Sequence, residues 1–117
     1  MILKKGDIVW VEIPEADDEN PTHVQKNFRP ALVIQKNINP NNSIITLITF
    51  TKVMSAINYQ PSIEVKRSLT NGLECDSILL IFQMGAFDKR QITRKLGQLE
   101  SVYLKETDKL IREMLGY

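Results

Sequence analysis

The chain has very few of the residues that build covalent or metal-centred sites. It contains one cysteine, Cys75, and one histidine, His23. A single cysteine cannot form an internal disulfide, and one cysteine with one histidine cannot supply the four ligands of a structural zinc site. Redox and structural-metal functions are therefore disfavoured. We expect no cofactor, so any chemistry must use other side chains.

Long apolar runs are missing as well. No stretch approaches the roughly 20 residues of a transmembrane helix. The first residues, MILKK, lack the apolar segment of a secretory signal. We therefore expect a cytoplasmic protein with no membrane partner. With 117 residues, 43% of them hydrophobic, the chain can bury one core, and we predict a single domain over residues 1–117.

The charge is small but unevenly distributed. The net charge is +1, with −4 over the first 20 residues and +5 over the remainder. A cationic face suits a polyanion, although basic residues that merely solvate a surface are the more common case. The basic pairs Lys66-Arg67 and Lys89-Arg90 fit either interpretation.

The apolar pattern through most of the chain is typical of β-strands. Short segments rich in β-branched and aromatic residues alternate with turn residues such as NPNN at 39–42 and NG at 71–72. The pattern predicts a small, strongly bent antiparallel sheet or barrel. The strands are predicted at Asp7–Ile13, Pro30–Gln35, Ile44–Thr51, Pro61–Val65 and Ser77–Met84.

Two segments depart from this pattern. From Ser101 onward, apolar residues recur at helical spacing and Gly116 follows them, which predicts one amphipathic C-terminal helix. The segment from Pro14 to Phe28 carries four carboxylates and no apolar run. It predicts a long loop, and loops of that length in small domains usually serve function.

Arg29 stands directly before a proline that opens an apolar strand. A residue before proline is held in an extended conformation, so Arg29 is expected at the mouth of the strand, beside the long loop. A guanidinium placed there can grip a phosphate with two hydrogen bonds. The alternative is an ion pair with Glu15 or Asp17 that caps the end of the sheet.

A second group of candidate residues ends the third predicted strand. Thr49 and Thr51 are two residues apart and share one face, and Lys52 follows them. Two hydroxyls beside a cation can hold a phosphate, although threonine is also an ordinary strand residue. His23 can act as a general base near neutral pH, or it is simply a solvated loop residue.

Four segments, in this order and spacing, resemble the MazF/PemK toxins of bacterial toxin–antitoxin pairs. They are KKGDIVWVEI from Lys4, RPALVIQ from Arg29, LITFTK ending at Lys52, and GLECDSILLIFQMGAFDKRQITRKLGQL from Gly72. The resemblance covers nearly the whole chain. It implies a mainly β (α+β) fold, a small SH3-like barrel of the CcdB/PemK type with a C-terminal helix, and a homodimer.

The resemblance also implies an activity and partners. The family cuts single-stranded mRNA at short sequences without metal, by attack of a 2′-hydroxyl on the adjacent phosphate. Arg29 corresponds to its catalytic arginine, and Thr51 corresponds best to its catalytic threonine, with Thr49 as the second choice. A cognate antitoxin is implied, and operator DNA only through that antitoxin. RNA contacts are expected from His23, Gln25, Asn27, Phe28, Thr49, Lys52 and Gln83.

Aromatic residues make up only 7% of the chain, so platforms for stacking RNA bases are few. Phe28 and Trp10 are the candidates, although a tryptophan on an amphipathic strand more often belongs to a core or an interface. Gln83, which follows an apolar strand, can read a base edge or bind backbone.

The chain departs from the family pattern near the implied substrate. Gly85 stands where an arginine is usual, Phe82 replaces a glutamate, and Gln25 alone remains of a polar motif ahead of Arg29, with His23 in place of a serine. We expect a changed sequence preference and a lower rate. Two alternatives remain: a CcdB-like protein that binds DNA gyrase, and a catalytically silent relative that binds an antitoxin or operator DNA.

Overall fold

The computed structural model describes residues 1–16 and 24–117, with the backbone alone at 14–16 and 24–26. Within these residues the chain forms seven strands and a C-terminal α-helix, with three short 3₁₀ helices at Met54–Asn58, Ile81–Gln83 and Lys89–Gln91. The helix α1 is Ser101–Leu115. The strands are β1 Asp7–Ala16, β2 Val24–Val33, β3 Ile44–Thr51, β4 Ile63–Val65, β5 Ser77–Leu79, β6 Gly85–Asp88 and β7 Ile92–Gln98.

The strands form one antiparallel sheet in the order β4-β5-β3-β2-β1-β7. On the edge of β3 away from β2, two strands share the pairing: β6 pairs with its first half and β5 with its end. The mainly β fold with a C-terminal helix that the sequence predicts is therefore confirmed. The described part of the chain contains no helix that is both long and apolar enough to cross a membrane.

Apolar residues are buried on both faces of the central strands because successive residues of a strand point to opposite sides. On β1, Ile8 joins one buried cluster while Val9 and Val11 join another. The first cluster includes Leu32, Ile48, Phe50 and Leu79, and α1 packs against it through Tyr103, Leu104, Leu110 and Ile111. The helix thus covers one face of the sheet.

A tight contact joins the segment after β4 to the end of β7. Gly72 has φ +70°, a conformation that favours glycine. A Cβ at this position would lie 2.0 Å from the carbonyl oxygen of Leu96. Beside it, the backbone N–H of Gln98 donates to the Thr70 carbonyl at 3.0 Å. Glycine at residue 72 is therefore required both by the backbone angle and by the space available.

The predicted loop over Pro14–Phe28 is wrong. Strand β1 continues to Ala16 and β2 begins at Val24, with these two residues paired at the end of the ladder. Residues 17–23, including His23 and Asp17, lie outside the described part. The prediction failed because the backbone ladder between β1 and β2 continues past the end of the β2–β3 pairing, through a segment whose sequence has no apolar alternation.

The predicted strand Ser77–Met84 is also wrong in its length. It ends at Leu79 and is followed by the 3₁₀ helix Ile81–Gln83. A continuous apolar run does not show by itself where a strand bends. Strand β6 was missed because it is only four residues long and begins with glycine and alanine, which are depleted in strands. Strand β7 was missed because four of its seven residues are exposed and polar, so burial leaves no period of two. The C-terminal helix is confirmed, with Gly116 at φ +82° after its last turn.

Candidate active site

A cleft opens where the ladder between β2 and β3 stops. These strands pair over three residues each, and the last pair is Ala31 opposite Thr49. Beyond it, β2 stays paired with β1, whereas β3 pairs with β5. The space between has a volume of about 310 Å³, comparable to small-molecule sites. It is lined by Trp10, Phe28, Arg29, Pro30, Phe50, Thr51, Lys52, Val53, Gly72, Glu74, Cys75, Ser77, Arg94 and Leu96.

Arg29 borders this cleft from β2, where it is half-buried opposite Val11. It lies within the strand rather than at its mouth, because β2 begins at Val24. Space opens beside the guanidinium because the ladder between β2 and β3 ends here, and not because β2 begins here. The ion pair with Glu15 or Asp17 stays a prediction, because neither side chain belongs to the described part.

Thr51 borders the cleft from β3. A continuation of the β2–β3 register past Ala31 and Thr49 would set Thr51 opposite Arg29, so the two residues share a face of the sheet. The Thr51 Oγ1 accepts a hydrogen bond from the Val53 N–H at 3.2 Å. The hydroxyl proton therefore remains free to be donated.

Thr49 shares the face of Thr51 but is only 4% exposed, and it is not among the residues that line the cleft. Its carbonyl accepts a hydrogen bond from the Leu80 N–H at 3.0 Å. Of the two threonines, Thr51 is therefore the better placed to meet a ligand.

The cleft lining carries three cations, Arg29, Lys52 and Arg94, against one carboxylate, Glu74. The Lys52 Nζ lies 3.9 Å from the Glu74 Oε2, and both side chains are largely exposed. An exposed pair at that distance is weak, so Lys52 can exchange Glu74 for another anion. The excess of positive charge suits a phosphate.

Sequence reasoning missed Arg94 as a cleft residue. Nothing in the sequence set it apart from the other basic residues. In the structure, the adjacent Lys95 reaches the fully buried Asp7, with its Nζ 3.2 Å from the Asp7 Oδ2. Neighbouring strand residues point to opposite faces, so Arg94 projects away from Asp7. Glu74 and Cys75 also line the cleft, and nothing in their sequence context marked them.

Trp10 and Phe28 lie together at one side of the cleft. Their rings stack, with centroids 6.1 Å apart and planes at 10° to each other. Trp10 is half-buried and Phe28 is 41% exposed. The two expected platform residues therefore form one aromatic surface.

The other predicted RNA contacts are scattered or undescribed. Gln83 is exposed in a 3₁₀ helix and does not line the cleft. Asn27 is half-buried on β2, opposite Ile13. Gln25 is described only by its backbone, and His23 lies in the undescribed 17–23. Gly85 pairs with Leu47 on the far edge of β3, and it is not among the cleft residues either.

Lys66 and Arg90, one residue from each of the two basic pairs, are already paired with carboxylates. Lys66 lies 2.6 Å from the Glu64 carboxylate and 3.5 Å from that of Asp76, and the hydrogen bond to Glu64 raises the Lys66 pKa. Hydrogen bonds from the Arg90 side chain, and then from its backbone N–H, lower the pKa of Asp88 to about 2. These cations are less suited to RNA than those of the cleft.

The part of the chain that the structure describes holds no group of three or more His, Cys, Asp or Glu side chains arranged to share a metal ion.

The fold and the cleft define a small, mainly β protein with a cationic, aromatic-edged groove. The family model of PemK-like, MazF-like toxins of type II toxin–antitoxin systems matches residues 4–115. The chain therefore belongs to this family.

A curated relative is Endoribonuclease EndoA of Bacillus subtilis (strain 168), which is 29% identical over 120 residues, covering 99% of this chain and 97% of that protein. Two solved structures of MazE-MazF from Deinococcus radiodurans share the fold at 19% identity. The Form-II structure has a TM-score of 0.74, and the match covers 99% of this chain and 97% of that chain. The Form-III structure has a TM-score of 0.73, and the match covers 99% of this chain and 98% of that chain.

Proposed function

We propose that this protein is an endoribonuclease that cuts single-stranded mRNA and acts as the growth-inhibiting toxin of a toxin–antitoxin pair. The observation that carries the proposal is the meeting of Arg29, Thr51 and Lys52 at one cationic cleft in a chain of this family. The relative named Endoribonuclease EndoA supports the reaction class. The proposed toxin is a single domain that works in the cytoplasm without a cofactor.

The proposed reaction is an internal transfer at phosphorus. The RNA 2′-oxygen forms a bond to the adjacent phosphorus while the bond from phosphorus to the 5′-oxygen breaks, leaving a 2′,3′-cyclic phosphate and a 5′-hydroxyl. The 2′-hydroxyl loses its proton to a base, and the leaving oxygen gains one. Because both bonds share one phosphorus, positioning and charge stabilisation supply most of the catalysis.

Each proposed catalytic side chain has a distinct task. The Arg29 guanidinium offers paired donors to the phosphoryl oxygens as their charge grows. The Thr51 hydroxyl donates to the same phosphate and holds it in line for attack. Lys52 is an RNA contact beside them, free to leave its weak pair with Glu74.

The proposed partners follow from the family and from its solved relatives. We propose a homodimer that binds single-stranded RNA and a cognate antitoxin, with operator DNA bound only through the antitoxin. Both Deinococcus radiodurans structures are of MazE-MazF, which supports a partner chain for this toxin. We also propose that its cleavage sequence differs from that of relatives with the usual acid and arginine at the positions of Phe82 and Gly85. These two residues lie outside the cleft lining, so the difference would arise where the RNA continues beyond the cleft.

The test is cleavage of a long single-stranded RNA in EDTA with mapping of the new 5′ ends. Wild type is compared with Arg29→Ala, Thr51→Val and Thr49→Val, and with Arg112→Ala on the exposed side of α1 as a matched control. We expect metal-independent cuts at a recurring short sequence, with at least a hundredfold loss in Arg29→Ala.

The two threonine variants separate the candidates, since valine keeps the shape of threonine without its hydroxyl. We expect the rate to fall in Thr51→Val and to stay near wild type in Thr49→Val. The reverse result would transfer the role to Thr49. Intact RNA with wild-type protein shown to be folded would count against the nuclease and favour a role in binding alone.

A further inference from the structure

The cleft contains a group that the proposed catalytic residues do not use: the Trp10–Phe28 ring pair together with Arg94. We infer that these three residues form a nucleotide subsite, in which the ring pair stacks on an RNA base and Arg94 binds a phosphate of the same strand. The inference rests on the proposed function, because it assumes that RNA is the substrate of this cleft.

The register of the sheet brings the three side chains to one face. Trp10 lies opposite Pro30 on β2 and opposite Arg94 on β7. Residues directly opposite in an antiparallel pair project to the same side. Phe28 is two residues from Pro30 on β2, so it shares that side and reaches Trp10 diagonally.

The ring pair has an open end. Its planes are within 10° of parallel, and Phe28 is 41% exposed. A planar base can therefore extend the stack on the Phe28 face. Stacking on an aromatic side chain tolerates any base. Removing the ring weakens binding by roughly tenfold or more.

Arg94 differs from the neighbouring cations in its surroundings. Lys95 pairs with Asp7, Arg90 with Asp88, and Lys66 with Glu64. Within the described residues Arg94 has no ion-pair partner, and it is exposed on the cleft wall. A free planar guanidinium beside an aromatic stack is the combination that binds single-stranded nucleic acid.

The subsite flanks the proposed catalytic pair and does not coincide with it. Arg29 is adjacent in sequence to both Phe28 and Pro30, so it projects from the other face of β2. Both faces meet at the cleft because the β2–β3 ladder has ended there. RNA whose scissile phosphate lies at Arg29 then places a neighbouring nucleotide on Phe28 and Arg94.

The experiment uses the single tryptophan of the chain, Trp10, as the reporter. A mixed-sequence 2′-O-methyl oligonucleotide, which cannot undergo attack by its 2′-oxygen, is titrated into the full-length protein while Trp10 fluorescence is recorded. An abasic oligomer of equal length supplies phosphates without bases. We expect quenching with the first oligomer and much less with the second.

Three variants assign the two halves of the subsite. Phe28→Leu keeps an apolar side chain without the ring, and we expect about tenfold weaker binding of the base-bearing oligomer only. Arg94→Ala should weaken both oligomers and make the slope of log K against log salt about 0.7 less negative, the loss of one phosphate contact. Arg112→Ala, which removes an exposed cation on α1, should match wild type.

Several results would overturn the inference. It fails if Arg94→Ala binds like Arg112→Ala, if the abasic oligomer quenches Trp10 as strongly as the other, or if no oligomer binds. If Arg94→Ala cleaves RNA at the wild-type rate with an unchanged KM, the subsite is refuted and the proposed nuclease activity still holds. If oligonucleotide binding depends on Arg94 and Phe28 but wild type does not cleave RNA, the proposed nuclease activity is refuted and the subsite still holds.

Discussion

The Asn71 side chain makes several hydrogen bonds in the buried interior, next to Gly72, which lines the cleft. It is fully buried, and its Oδ1 accepts from the N–H groups of Ser68 at 3.1 Å and Leu73 at 3.0 Å. Its Nδ2 donates to the Lys66 carbonyl at 2.9 Å and to the Glu100 Oε1 at 3.1 Å. Asn71 thus ties the chain after β4 to the start of α1.

Asn71→Ala removes all of these bonds together. Each buried polar group that loses its partner costs about 1–3 kcal/mol. Leu73 is buried, whereas Ser68 and Lys66 lie closer to solvent and can recover hydrogen bonds from water. We therefore expect the free energy of unfolding to fall by about 2–3 kcal/mol. Because Gly72, Glu74, Cys75 and Ser77 line the cleft, we also expect the variant to lose RNA cleavage at a lower temperature than wild type.

The assay is equilibrium unfolding in urea followed by Trp10 fluorescence, with RNA cleavage measured on the same samples. Asn58→Ala is the matched control, because Asn58 is exposed and should change stability by less than about 0.5 kcal/mol. If Asn71→Ala lowers the free energy of unfolding by no more than Asn58→Ala does, the reasoning is refuted. The former hydrogen-bond partners of the Asn71 side chain would then have found other partners.

Three further changes follow from single contacts. Gly72→Ala should lower the free energy of unfolding by at least about 2 kcal/mol, seen as a lower urea midpoint, because of the φ of +70° and the 2.0 Å approach to the Leu96 carbonyl; an unchanged midpoint would contradict this. Arg29→Lys keeps the charge but loses the two-pronged donor, so single-turnover cleavage should fall at least about tenfold, and wild-type rates would show that charge alone suffices. Asp88 has a pKa of about 2 in the folded protein, so its stabilising effect is full above its unfolded pKa of about 4 and is lost as the pH falls towards 2. The difference in free energy of unfolding between wild type and Asp88→Asn should therefore shrink as the pH falls from about 4 to about 2. A difference that stays constant over this range would be inconsistent with the Arg90 contact.

The structure confirms the predicted elements whose apolar residues are buried or recur with a regular spacing. Strand β3 was predicted with its observed bounds, Ile44–Thr51, because both of its faces pack against other elements. The helix α1 was predicted from apolar spacing and from Gly116. In both cases burial imposes a periodic pattern that sequence alone reveals.

The failures lie where a backbone ladder runs through a segment whose sequence has no apolar period. This is the case for the ends of β1 and β2 that are joined by the hairpin, and for strand β7, all of which are paired through backbone hydrogen bonds. The cleft was predictable only in part, since Arg29, Thr51, Lys52 and Phe28 came from motifs. Arg94, Glu74 and Cys75 reach it through register and a turn, which no local pattern specifies.

The most direct test of the central claim, that the cleft cuts RNA through a 2′-hydroxyl, is single-turnover cleavage of one oligonucleotide in EDTA. The oligonucleotide carries the mapped cleavage sequence, with and without a single 2′-deoxy substitution immediately before the cut. We expect the all-ribose form to give a 5′-hydroxyl and a cyclic phosphate, at a rate that Arg29→Ala reduces at least a hundredfold, and the substituted form to stay intact. Cutting of the deoxy form, or equal rates for Arg29→Ala and wild type, would contradict the account.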